Sequence, residues 1–100
     1  MIKHIVMWKL KDEAEGAGRA ANAQEMKRRL DACANIVPGM RVFEVTIAQP
    51  GLEATYDVVL YSEFADRAAL GAYIAHPTHK AVAPFIGAIR EARQCMDYEV

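Results

Sequence analysis

Arg41-Val42-Phe43-Glu44-Val45-Thr46-Ile47-Ala48, followed by Gln49-Pro50-Gly51-Leu52 and then Tyr56-Asp57-Val58-Val59-Leu60-Tyr61-Ser62-Glu63-Phe64, decides how the chain folds. The first segment alternates, with Phe43, Val45 and Ile47 on one face and Val42, Glu44 and Thr46 on the other. The last does the same, setting Tyr56, Val58, Leu60, Ser62 and Phe64 against Asp57, Val59, Tyr61 and Glu63. A period of two is that of a β-strand. Between them, proline and glycine stand where a type II turn wants them. Two consecutive strands joined this tightly pair antiparallel.

Upstream, Met26, Leu30, Cys33, Ala34 and Val37 recur at helical spacing, with Lys27, Arg28, Arg29 and Asp31 mostly opposite. This predicts one amphipathic helix over Arg19 to Val37, its basic run facing solvent. Pro38-Gly39 ends it, because proline disfavours a helical residue before it and glycine tolerates the turn that follows. Lys11 to Gly18 is charged and reads as a loop. Before it, Ile2 to Leu10 is a strand: Ile2, His4, Val6, Trp8 and Leu10 point one way, and Lys3, Ile5, Met7 and Lys9 the other.

Downstream, Asp66 is placed to cap a second helix through Leu70, Tyr73 and Ile74. Pro77 ends or kinks it. Val82, Phe85, Ile86 and Ile89 then mark a third helical stretch, with Pro84 near its start or at a bend. Gln94 to Val100 closes the chain as a strand, with Met96, Tyr98 and Val100 on one face. The order strand, helix, strand, strand, helix, strand is that of a ferredoxin-like α+β fold, βαββαβ, with a four-stranded antiparallel sheet carrying its helices on one side. The other side is left bare within one chain. Ile5, Met7, Val59 and Tyr61 lie on it, and such a patch marks an interface. The expectation is a homodimer with sheet packed on sheet about a two-fold axis.

At 100 residues and 11.1 kDa the chain is one domain, residues 1–100. Twelve Lys and Arg against 13 Asp and Glu leave a net charge of -1, which argues against a nucleic-acid partner. No apolar run approaches the roughly 20 residues that span a bilayer, and the opening Met1-Ile2-Lys3-His4 is not a secretory leader, so no membrane association and a cytoplasmic location are expected. Cys33 and Cys95 form neither a CxxC pair nor a zinc knuckle and are expected to be buried, reduced thiols.

The residues able to carry chemistry are few. There are three histidines, His4, His76 and His79, and Tyr73 lies one helical turn before His76. His76 and His79 with His4 would make a three-imidazole metal set, but Pro77 interrupts the helix that would align the first two. Acid/base chemistry needs less: an imidazole that titrates near neutrality, and a phenol to hydrogen-bond a developing oxyanion, suffice to abstract a proton beside a carbonyl without a cofactor. Tyr73 and His79 supply that pair. In the alternative, the two histidines orient the turn between helices and Tyr73 packs in the core. Ser62, the only serine, has no nucleophile elbow around it, and no phosphate-binding glycine loop occurs.

Together, Ile2-Lys3-His4-Ile5-Val6-Met7-Trp8-Lys9-Leu10-Lys11-Asp12, Ile36-Val37-Pro38-Gly39-Met40, Tyr73-Ile74-Ala75-His76-Pro77-Thr78-His79 and Met96-Asp97-Tyr98 resemble the stress-responsive A/B barrel (Dabb) family over essentially the whole chain. The resemblance implies a dimeric α/β barrel with a cavity between the sheet and helices of each subunit. In a plant polyketide cyclase of that family the cavity performs a cofactor-free, aldol-type ring closure. By that likeness His79 is the general base, Tyr73 positions or polarises the substrate carbonyl, and His4 lines the cavity. Val58 and Leu30 stand where the cyclase has a histidine and a tyrosine, which implies a more apolar pocket and a different or less exacting substrate. Backbone carbonyls of Ala34, Val37 and Met40 match a magnesium site of some plant relatives. The expected ligand is a small, mostly apolar molecule bearing a carbonyl. The alternatives are a non-catalytic, stress-associated ligand-binding protein and a cofactor-independent monooxygenase, the latter resting on fold kinship alone.

Overall fold

The computed structural model describes all residues, Met1–Val100. The chain runs β1 (Ile2–Leu10), β2 (Glu13–Ala14), β3 (Ala17–Gly18), α1 (Arg19–Asp31), β4 (Met40–Ile47), β5 (Val58–Phe64), α2 (Arg67–Ala75), α3 (Pro77–Ile89) and β6 (Arg90–Glu99). The main sheet has the order β4-β5-β1-β6, every neighbour antiparallel, which is the ferredoxin-like arrangement. No helix is long and apolar enough to cross a membrane.

Alternation in the sequence becomes two unlike sheet faces. Ile2, His4, Val6, Trp8 and Leu10 of β1, with Val58, Leu60, Ser62 and Phe64 of β5, are buried beneath the helices. Ala23, Met26 and Leu30 of α1, Tyr73 of α2, and Val82 and Ile89 of α3 complete that core. The opposite face carries no helix. Ile5, Val59 and Tyr61 are only half-buried there, while Met7 is 39%, Tyr98 37% and Met96 66% exposed.

Several boundaries differ from the sequence expectation. Helix α1 stops at Asp31, not Val37: the Cys33 and Ala34 N–H groups bond back only three residues, to Leu30 and Asp31, and Asn35 takes a left-handed φ of 60°. Cys33, Ile36 and Val37 still reach the core, but from turns. The Lys11–Gly18 loop holds a miniature hairpin, β2 and β3, turned by Glu15 and Gly16, both at positive φ. The Asn22 side-chain amide ties it to α1 by donating to the Ala14 and Ala17 carbonyls at 2.9 and 3.3 Å. Pro77 begins α3 as its first residue, since proline lacks only an N–H that the first turn leaves unbonded anyway. Strand β6 starts at Arg90 and meets β1 through an irregularity at Lys9/Leu10; its first four residues, Arg90-Glu91-Ala92-Arg93, carry no apolar alternation to betray them. The basic run of α1 is not wholly solvated, because the Arg29 guanidinium lies 3.9 Å over the Phe85 ring of α3.

Candidate functional site

Strand β6 is an edge strand, and the helices cover its inner face only in part. A cavity of ≈ 300 Å³ results, between β1 and β6 on one side and α1, α2 and α3 on the other. His4, Tyr73 and His79 all line it, among Val6, Trp8, Leu30, Leu60, Val82 and Ile86. The three residues singled out in the sequence come together there from three elements.

His4 is held by the β1–β6 ladder, which sets it opposite Asp97. Its Nδ1 lies 2.5 Å from Asp97 Oδ1, and its ring is 6% exposed, edge-on to Phe64 and Tyr73. A carboxylate only accepts, so Nδ1 carries the proton it donates and, in the neutral ring, Nε2 keeps a lone pair.

The break between α2 and α3 does the rest. His76 takes an extended conformation and its Nδ1 accepts from the Thr78 N–H at 3.1 Å, so it caps α3 and does not line the cavity. That turn folds His79 back onto Tyr73, their ring centroids 4.6 Å apart. His79 Nδ1 is 3.1 Å from the Ile74 carbonyl; a carbonyl cannot donate, so Nδ1–H does, and Nε2 is again left with its lone pair. Burial, with a smaller push from His4 and Arg93, holds the His79 imidazole below its ordinary value of 6.5 against the opposing effect of the Ile74 bond, and so favours the neutral ring. Tyr73 is fully buried, and its hydroxyl has no hydrogen-bond partner. Burial first, and the nearby Cys33 thiol second, raise its pKa above the usual tyrosine range, keeping it a neutral donor.

The three imidazoles do not gather into a metal set: no three His, Cys, Asp and Glu side chains come close enough to hold an ion. Near the end of α1, the Ala34 and Val37 carbonyls accept no hydrogen bond from the chain, while Met40, the third residue that the resemblance named, opens strand β4. Leu30 forms cavity wall, whereas Val58 sits in the core outside it. Cys33 is buried as expected but Cys95 is exposed, because it faces the cavity from the half-covered edge strand; both are free thiols. A larger groove, ≈ 660 Å³, runs beneath the β4–β5 connection and contains no histidine; its Asp57 carboxylate accepts from the Leu10 N–H at 2.7 Å.

Sequence reasoning missed Asp97, Arg90, Arg93 and Cys95, all on the cavity lining. A signal for two of them was available. If Met96 and Tyr98 face one way, Cys95 and Asp97 face the other, and pairing of the first and last strands sets Asp97 against His4.

The family model described as "Stress responsive A/B Barrel Domain" matches residues 2–100. The chain belongs to that family. Among solved structures, a dimeric protein of ferredoxin-like fold from Bacteroides fragilis is 31% identical, covers 99% of this chain and 95% of its own, and superposes with a TM-score of 0.81. A Dabb family protein of ferredoxin-like fold from Mesorhizobium loti is 24% identical, with 99% and 95% coverage and a TM-score of 0.73. An antibiotic biosynthesis monooxygenase shares the fold at 21% identity, 100% and 98% coverage and a TM-score of 0.74. A comparison with curated proteins finds no match.

Proposed function

We propose that this A/B barrel protein is a homodimer, sheet against sheet, whose cavity binds a small, mostly apolar, carbonyl-bearing molecule and catalyses proton transfer beside the carbonyl without a cofactor. The observation that carries the reading is the convergence of His79, Tyr73 and the Asp97-held His4 on one apolar cavity. In it His79 Nε2 accepts the proton from the carbon next to the carbonyl. The Tyr73 hydroxyl, buried without a partner, is the donor for the enolate oxygen that develops. His4, held in place by Asp97, offers its Nε2 as a second polar contact for a ligand hydroxyl. Apolar walls exclude water and favour the neutral imidazole as base. Such an enolate, attacking a second carbonyl of the same molecule, closes a ring as that carbonyl's π bond breaks, and the resulting alkoxide takes back the proton that His79 accepted.

The test is turnover of a diketone series across pH. His79→Ala and Tyr73→Phe are each expected to lower kcat/KM about a hundredfold or more. Because His79 titrates below 6.5, wild-type activity is expected to stay level through neutral pH and to fall as acid protonates the base. Undiminished turnover in His79→Ala removes the base assignment. Melting shifts by the same ketones that persist unchanged in that variant and at low pH favour a binding protein without catalysis.

A further inference from the structure

We propose that Arg90 and Arg93 form an anion subsite at the mouth of the cavity, so that its ligand is an apolar molecule with a carboxylate at one end. This rests on the cavity reading above and adds the ligand's class. Both arginines line the cavity and are exposed to solvent. The β1–β6 register places Arg93 opposite Trp8, on the face that carries Cys95 and Asp97.

Neither guanidinium meets a carboxylate within the chain. Arg19, Arg28, Arg29 and Arg67 each pair with a carboxylate; Arg41, Arg90 and Arg93 have none, and of these three only Arg90 and Arg93 line the cavity. Arg93 is not trailing into solvent either: its Nη1 lies 3.4 Å from Cys95 Sγ, on a thiol that also faces the cavity. The single acid on the lining, Asp97, is taken up by His4. The cavity lining therefore carries two cations without a carboxylate partner, alongside apolar walls of Val6, Trp8, Leu60 and Ile86. A guanidinium presents parallel N–H groups that fit a carboxylate in two bonds, and two such groups give that end of the cavity a net positive charge whatever Asp97 does. The same charge is felt by His79, whose proton affinity Arg93 lowers. A ligand carboxylate beside Arg93 offsets that repulsion, so anion binding and the basicity of His79 are coupled.

Calorimetric titration at pH 7 with 4-benzoylbutyrate and with its methyl ester is the test, since the two share an apolar keto body and differ in charge. The acid is expected to bind at least tenfold more tightly, and less so as salt is raised. In the Arg90→Gln/Arg93→Gln double variant the two are expected to bind within about threefold of each other, with ester affinity unchanged. Arg93→Lys is expected to keep part of the preference, as a charge without the fork. Equal affinities in the wild type, or a tenfold preference surviving in the double variant, overturn the anion subsite while leaving the cavity in place. If neither compound binds at millimolar concentration, the cavity reading fails and the subsite with it. His79→Ala separates the base from the subsite, because it is expected to retain the acid preference.

Discussion

Tyr73 is the residue at which folding and function pull apart. A buried hydroxyl without a partner costs stability, because the bonds it made to water are not replaced. Tyr73→Phe removes that cost and keeps the ring packed on Phe64 and His79. Its melting and urea midpoints are expected to equal or exceed the wild type by up to about 1 kcal/mol, while kcat/KM falls. A variant less stable by several kcal/mol would mean that the hydroxyl is bonded after all. Strand alternation turned His4 inward in the sequence, but it was the family resemblance that singled out His4, Tyr73 and His79 as cavity residues, and all three do line the cavity. His76 was not separable from His79 by type or spacing; only the capping bond to Thr78 tells them apart. The roles of Arg90 and Arg93 were hidden because an arginine in a polar run reads as solvent-facing until the edge of the sheet is known.

At the scale of elements, the period-two segments found themselves, and so did the capped helix at Asp66, whose Oδ1 accepts from the Ala69 N–H at 2.8 Å. What escaped were segments whose apolar residues reach the core from turns. Ile36 and Val37 extend the helical pattern of α1 on paper, yet the backbone has already left the helix, because Asn35 and then Gly39 adopt positive φ. Gly39 carries a specific demand: at φ 90° an added Cβ would sit 2.9 Å from the Ala69 Cβ of α2. Both backbone strain and the clash oppose any side chain there. Gly39→Ala is expected to lower stability by about 2–3 kcal/mol, read as a lower urea midpoint at unchanged slope. A midpoint like that of wild type would show that α2 moves aside freely. Strand β6 was found without its first four residues for a different reason: its pairing to β1, not its own composition, makes Arg90–Arg93 a strand.

For the molecule as a whole, the sheet has one face closed over the cavity by helices and one bare face, proposed to meet a second copy. Ile5, Met7, Val59 and Tyr61 announced that face in the sequence, and Met96 and Tyr98 extend it across β6. Under a two-fold axis each substitution is made in both protomers. Met7→Asp is therefore expected to weaken self-association roughly a hundredfold or more, seen by sedimentation equilibrium, with the fold retained because Met7 lies outside the core. Wild type sedimenting at 11.1 kDa in the micromolar range would remove the dimer. The chemistry assigned to the helix-covered face has its most direct reading in deuterium. Wild-type protein in D₂O with an apolar keto acid is expected to exchange the protons beside the carbonyl, followed by NMR, at a rate that His79→Ala reduces to the buffer background. Exchange at the same rate with and without the His79 imidazole would contradict the proposal that this cavity moves protons.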